Sequence, residues 1–387
     1  MVILCFSASV SAQRHPRADE KNGVTSGVDT VLLRATIDGA SIRAAEYNLK
    51  MVTVVDGLSN PWGIALLGGE RMLVTEQAGQ LLMIHNGKVV GPVKGLPEMG
   101  RHGQGGLMAV AVDPNFEKEP WVYLGYTHSH NRGQMTRIMR GKIVGENWTN
   151  QEVLFQAKDE HYRGGGVHFG TRIVFDKEGF LYFSCGDRGN QNTAQDVTRP
   201  TGKTFRINRD GSIPKDNPFV GRPDAYEAIF TFGNRNSQGL AIHPETDQLW
   251  TTEHGPRGGD ELNVMKSGRN YGWPVITYGV NYNGTPVSQE THKDGMVQPV
   301  LQWTPSLAVC GLDFYQGQLM PLWNNRILVG SLAARQLRLL TINGEKVTRE
   351  EILLDKIGRV RDVKVGPDGK IYVALNGPDR IISIEPE

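Results

Sequence analysis

The chain is poor in cysteine, in net charge and in long apolar runs, and each shortage removes a class of protein. Only Cys5, Cys185 and Cys310 occur among 387 residues, too few for a scaffold built on disulfides. Cys185 and Cys310 sit in apolar, strand-like runs, so they read as buried free thiols rather than as a bridge. The 42 Lys and Arg are matched by 41 Asp and Glu, a formal charge of +1. That balance argues against nucleic acid or an anionic membrane as the main partner. No segment approaches the roughly 20 apolar residues of a membrane-spanning helix. Neither a GxGxxG nor a GxxxxGK[ST] run is present, which removes the common glycine-rich phosphate cradles. Helical periodicity is also missing.

What the chain does have is turn chemistry. Its 47 glycines and 20 prolines follow no collagen-like or low-complexity spacing, so they mark many tight turns between short strands. Residues 1–12 form a short apolar stretch ending in Val10-Ser-Ala12. This looks like the back half of a secretory signal cut after Ala12, without its basic start. The expectation is therefore a periplasmic or secreted protein; an apolar terminus with no targeting role is the alternative. Residues 13–46 read as a poorly ordered leader, with one candidate strand at Thr30–Arg34. The texture then changes, and residues 47–387 read as one domain.

Six times a strand reaches a turn rich in Pro, Asp, Asn or Gly and a second strand follows. The units are 62–74, 110–124, 173–183, 240–250, 312–329 and 363–373. Repeats of 45 to 70 residues without helical period are the signature of propeller blades. The fold class is all-β, a six-bladed β-propeller, with a β-sandwich as runner-up. Function in such a ring sits in loops at one mouth of the channel.

Four constellations carry possible chemistry. A two-residue loop at Lys177-Glu178 sets Asp176 opposite Gly179, and the same register sets His168 opposite Asp187. A carboxylate facing an imidazole suits a general base, and equally a surface ion pair. The run Glu253-His-Gly-Pro-Arg-Gly-Gly-Asp-Glu261 offers carboxylates and turn carbonyls, the ligands of calcium. Arg359 and Arg361 fall on one face of a strand, with Val360 opposite, and Arg235-Asn236 adds a further cation. Paired guanidiniums suit a ligand with several carboxylates, or simply an exposed strand. His102-Gly-Gln104-Gly-Gly lets backbone approach a ligand beside one amide.

Taken in order, these runs resemble the soluble PQQ-dependent aldose sugar dehydrogenases of the glucose/sorbosone dehydrogenase family. The resemblance also uses Asn60-Pro-Trp-Gly63, Gly186-Asp-Arg-Gly189, Gly202-Lys-Thr-Phe-Arg-Ile-Asn208 and Asn270-Tyr-Gly-Trp-Pro274. It runs from about residue 50 to the end. It implies a propeller with PQQ (pyrroloquinoline quinone) across one mouth, oxidising aldoses at C1 to lactones. His168 would be the base, Asp187 its orienter, and Arg235 the cation over the cofactor. Gln104, Asn236, Arg359 and Arg361 would hold PQQ, with Trp303 near the substrate cleft. The carbonyls of Gly255 and Pro256 would ligate Ca2+, and Glu261 and Tyr271 would match a second, structural calcium. Tyr282 is a weaker carry-over. An external quinone, cytochrome or dye would take the electrons, and the chain would be a monomer or homodimer. Where the family carries a lysine this chain has Ala333, for which Arg335, two residues on, offers compensation. The Asn190–Gln195 loop aligns ambiguously. Two other readings remain: a calcium-dependent propeller that hydrolyses lactones, and a non-catalytic carbohydrate-binding propeller.

Overall fold

The computed structural model describes residues 30–32, 41–43 and 46–387. The six hairpins are the two inner strands of six sheets, antiparallel within each blade. The blades comprise residues 61–92, 107–155, 173–232, 237–303 and 309–354, and lastly 359–386 together with Asn48–Val55. The innermost strands touch their neighbours in a closed ring, the last meeting the first. The fold is thus a six-bladed β-propeller, and closure of the ring removes the sandwich alternative.

Blades stack face to face, so a second strand is buried on both sides. Arg71–Glu76, Leu181–Cys185, Ile327–Ser331 and Ile371–Asn376 are buried almost throughout. That is why these segments read as unbroken apolar runs rather than as alternation. Between the second and third blades, Phe155, Phe183 and Phe205 pack with ring centroids 4.7–4.9 Å apart. Cys185 and Cys310 are buried free thiols, as the sequence implied.

The ring closes on its own ends. Asn48–Val55 pairs antiparallel with Arg380–Pro386, from Val55 opposite Ile381 to Leu49 opposite Pro386. Glu46 then clamps the fifth blade, with its Oε1 2.8 Å from Arg326 Nη2 and its Oε2 accepting the Trp323 indole N–H at 3.1 Å. The leader contributes Thr30–Leu32, parallel to Glu350–Ile352, where the sequence offered Thr30–Arg34. It also contributes Ser41–Arg43 beside Asn48–Lys50, which the sequence did not signal. The signal reading of residues 1–12 lies outside the described residues. Among the described residues no helix is long and apolar enough to cross a membrane.

Phe183 is fully buried at the centre of the inter-blade aromatic cluster. Phe183→Ala should therefore lower the unfolding free energy by about 3–5 kcal/mol in a denaturant melt, as cavity-forming Phe truncations do.

Candidate active site

His168, Asp187, Arg235, Asn236 and Arg361 gather at the mouth where the innermost strands begin. His168 lies just before the third blade, and Asp187 just after that blade's second strand. His168 Nδ1 stands 2.6 Å from Asp187 Oδ1. The contact is the expected one, but the ladder does not make it. The loop is wider than two residues: Phe175 pairs with Leu181, and Asp176 closes the turn by accepting from the N–H groups of Gly179 at 3.0 Å and Phe180 at 2.8 Å. Register is therefore one residue off the sequence reading, and pairing stops at Ile173 with Phe183. The chain then folds back with His168 in the left-handed region, at φ 53°. Gly186 permits the approach, since a Cβ there would lie 2.4 Å from the His168 carbonyl oxygen.

Asp187 is 1% exposed, and both of its oxygens are bonded. Oδ1 also accepts the Gly189 N–H at 2.7 Å, and Oδ2 accepts the Trp273 indole N–H at 2.8 Å. Burial pushes its carboxyl up, but the His168 hydrogen bond and charge, with the charge of Arg235, more than offset this. The net result lies below the usual carboxylate range, so Asp187 is an anion that fixes the imidazole.

Arg235 sits on the loop entering the fourth blade. Its Nη1 donates to the His254 carbonyl at 3.1 Å, its guanidinium lies 5.3 Å from the Trp273 ring, and its buried Nε has no partner. Glu253 braces that loop, accepting from Arg235 N at 2.5 Å, Asn234 Nδ2 at 3.0 Å and Ser237 Oγ at 2.8 Å. Asn236 takes up the Gly170 N–H at 3.1 Å. Gln104 accepts the His168 N–H at 2.9 Å, so its carbonyl oxygen already serves the base segment.

Arg361 is buried with its guanidinium 3.9 Å from the Trp62 ring centroid and Nε 3.1 Å from Asn376 Oδ1. Burial, with the neighbouring Arg359 and Arg172, pushes it down to about 10. Arg359 and Arg361 do not share one strand face as the sequence implied. A bulge between Val360 and Asp362 breaks the period of two, leaving Arg359 exposed and Arg361 enclosed. His254 joins the groups: burial first, then the charges of Arg235, His168 and Arg361, push its imidazole down to about 3. Its Nε2 is buried without a partner.

Glu253 and Glu261 line a small cavity with Gly255, Gly259 and Tyr271, and Arg235, His254 and Trp273 line it too. Burial and then the charge of Glu253 push Glu261 up to about 8, the electrostatics of a place that wants a cation. Among the described residues no cluster of three or more His, Cys, Asp or Glu is placed to hold a metal. A cation here must draw on backbone carbonyls. Gly255 suits that turn, because a Cβ would sit 2.2 Å from the Gly259 oxygen. Tyr271 commits its hydroxyl to the Val264 carbonyl at 2.5 Å. Asp260 braces the turn by accepting the Gly255 N–H at 2.9 Å.

Two expectations are not met. Trp303 is buried in the core between blades, its indole N–H on Glu350 Oε1 at 2.8 Å, and not at the cleft. Its carbonyl oxygen, bonded to Gly259 N–H at 3.0 Å, supports the Gly255–Gly259 turn instead. Arg335 cannot share a strand face with Ala333, because the strand ends at Ser331 and both residues are exposed in the following bend. In the Asn190–Gln195 loop, the Gln195 amide binds Asn270 and the Trp273 carbonyl. Tyr282 is 75% exposed. The sequence reading also passed over Trp273, Glu253 and Arg188. Arg188 lies 3.5 Å over the Phe169 ring and donates to the carbonyls of Val167 and Gly165, just ahead of His168. All three stood in quoted motifs, but nothing in sequence pairs 273 with 187.

A family model described as Glucose / Sorbosone dehydrogenase matches residues 58–383. The chain is 36% identical over 342 residues to the aldose sugar dehydrogenase YliI of Escherichia coli K12, covering 86% of this chain and 92% of that one. A crystal structure of a glucose dehydrogenase superposes with a TM-score of 0.83 at 35% identity, covering 87% of this chain and 99% of the other. The PQQ-bound form of an aldose sugar dehydrogenase from Streptomyces coelicolor gives 0.72 at 26%, covering 89% and 99%.

Glu253 meets three donors with two oxygens. In Glu253→Gln, an NH2 must face at least one of them, so unfolding free energy should drop by about 1–3 kcal/mol in an equilibrium melt.

Proposed function

Since this chain belongs to the Glucose / Sorbosone dehydrogenase family, we propose that it oxidises aldose sugars at C1 to lactones outside the cytoplasm, using PQQ and calcium. An external acceptor takes the electrons. One observation carries the cofactor reading. Arg235 and Arg361 are both buried at one mouth, and the partners of their guanidiniums are neutral, the His254 carbonyl and the Asn376 amide. Among the described residues no carboxylate hydrogen-bonds either guanidinium, and a buried guanidinium without an ionic partner is costly, so an anionic ligand is expected there. The unpartnered Arg235 Nε and His254 Nε2 fit the same ligand. A neutral lactone has no use for two buried guanidiniums.

Arg235, Asn236 and Arg361 would hold PQQ, with Arg359 at the rim and Gln104 behind the base segment. The carbonyls of Gly255 and Pro256 would hold the calcium beside it. Glu261 and the Tyr271 segment would serve the second ion. When bound, PQQ supplies a quinone carbon that accepts hydride, made more electrophilic by calcium on its oxygens.

The protein's own part is positional and electrostatic. His168 Nδ1 is held by Asp187, which leaves Nε2 as the basic nitrogen. That nitrogen takes the proton of the anomeric hydroxyl as the C1 hydrogen leaves with its electron pair. The resulting imidazolium is stabilised by the Asp187 anion. Arg235, backed by the Trp273 ring, puts positive charge beside the place where electrons arrive.

Protein reconstituted with PQQ and calcium should reduce a dye in the presence of glucose or another aldose. His168→Ala should still take up PQQ but lose about 10²–10⁴-fold in kcat, the usual worth of a general base; retained turnover removes the base assignment. Arg361→Gln should weaken PQQ uptake in a titration by about 10- to 100-fold, as expected for losing one charged hydrogen-bond partner.

A further inference from the structure

Trp273 is 7% exposed yet belongs to none of the hydrophobic clusters formed by the described residues. Its surroundings are polar and specific. The indole N–H donates to Asp187 Oδ2 at 2.8 Å, while His168 uses Oδ1 of the same carboxylate. The ring face lies 5.3 Å from the Arg235 guanidinium. The backbone of Trp273 is fixed on both sides. Its N–H donates to the Gly233 carbonyl at 2.9 Å, two residues before Arg235. Its carbonyl accepts the Gln195 side-chain amide at 2.7 Å, and Gln195 also exchanges hydrogen bonds with Asn270 at 2.7 and 3.0 Å. An apolar core residue needs none of this. A buried tryptophan whose one donor ends on the carboxylate of a His–Asp pair has a defined geometric task.

We propose that Trp273 is a positioning residue for the sugar-oxidising site. Its N–H stops Asp187 from rotating about its own side-chain axis, and its ring backs Arg235, so one side chain sets the base and the cation relative to each other. This rests on the reading of His168 as base. The alignment matters because a reacting group displaced by about 1 Å costs on the order of 10²-fold in rate.

Trp273→Phe keeps an aromatic ring against Arg235 and deletes the N–H. In the protein without cofactor, the Nδ1–H of His168 on Asp187 should give a downfield proton resonance in wild type that disappears in Asp187→Asn. In Trp273→Phe that resonance should be broadened or lost. In reconstituted enzyme, kcat should fall by about 10- to 100-fold, with KM for the sugar and the dissociation constant for PQQ within about 2-fold of wild type. Should the smaller ring disturb folding, benzothienylalanine at position 273, with sulfur in place of the N–H, gives the same readouts in the same outline. An unchanged resonance with unchanged kcat overturns the proposal. Wild-type protein that takes up no PQQ refutes the functional reading instead, and the resonance still decides the role of Trp273.

Discussion

One buried carboxylate organises the site. Asp187 lies at 1% exposure between the third and fourth blades, where an isolated anion would be expensive. It is tolerated because His168, the Gly189 N–H and the Trp273 indole all end on it. Those same bonds fix the imidazole, the loop after the second strand and the aromatic wall behind Arg235. Stabilising the anion and shaping the site are therefore the same interactions. Remove the anion, and His168 loses the partner that defines its tautomer, while Trp273 is left with a buried unpaired donor.

The propeller explains why residues so distant in sequence can share that hollow. In every blade the innermost strand begins at the same mouth and the second strand ends there. Trp62 and Arg361 stand within the first residues of innermost strands and His168 and Asn236 before them, while Asp187, His254 and Asn376 stand at or just after the end of second strands. The same two places in each blade supply the chemistry. The outer strands and the inter-blade clusters supply rigidity, and the strand Asn48–Val55 locks the ring so that the mouth keeps its shape.

The fold was almost wholly legible, because each hairpin carries its own turn and each second strand, buried on both faces, its own apolar run. That His168, Asp187, Arg235 and Arg361 share one hollow could also be read, from charge and spacing together with the family resemblance. Register was not, since Asp176 closes a loop wider than two residues, and the His168 contact arises outside the ladder. The bulge at Arg361 and the strand end at Ser331 were likewise invisible, and period-two arguments for Arg359 and Arg335 failed there. Trp303 misled because an indole beside a cleft and an indole between blades look alike in sequence. Trp273 went unassigned because its partner is 86 residues away and reached by a side-chain contact alone.

The central claim is that this mouth brings aldose and bound quinone together under one base. The most direct test is the visible absorption spectrum of protein reconstituted with PQQ and calcium, taken without oxygen before and after adding one aldose in excess. The account requires conversion of the oxidised spectrum to the reduced one, one equivalent of sugar consumed per bound cofactor. A spectrum that stays oxidised with every aldose offered, in protein that holds PQQ, would contradict it.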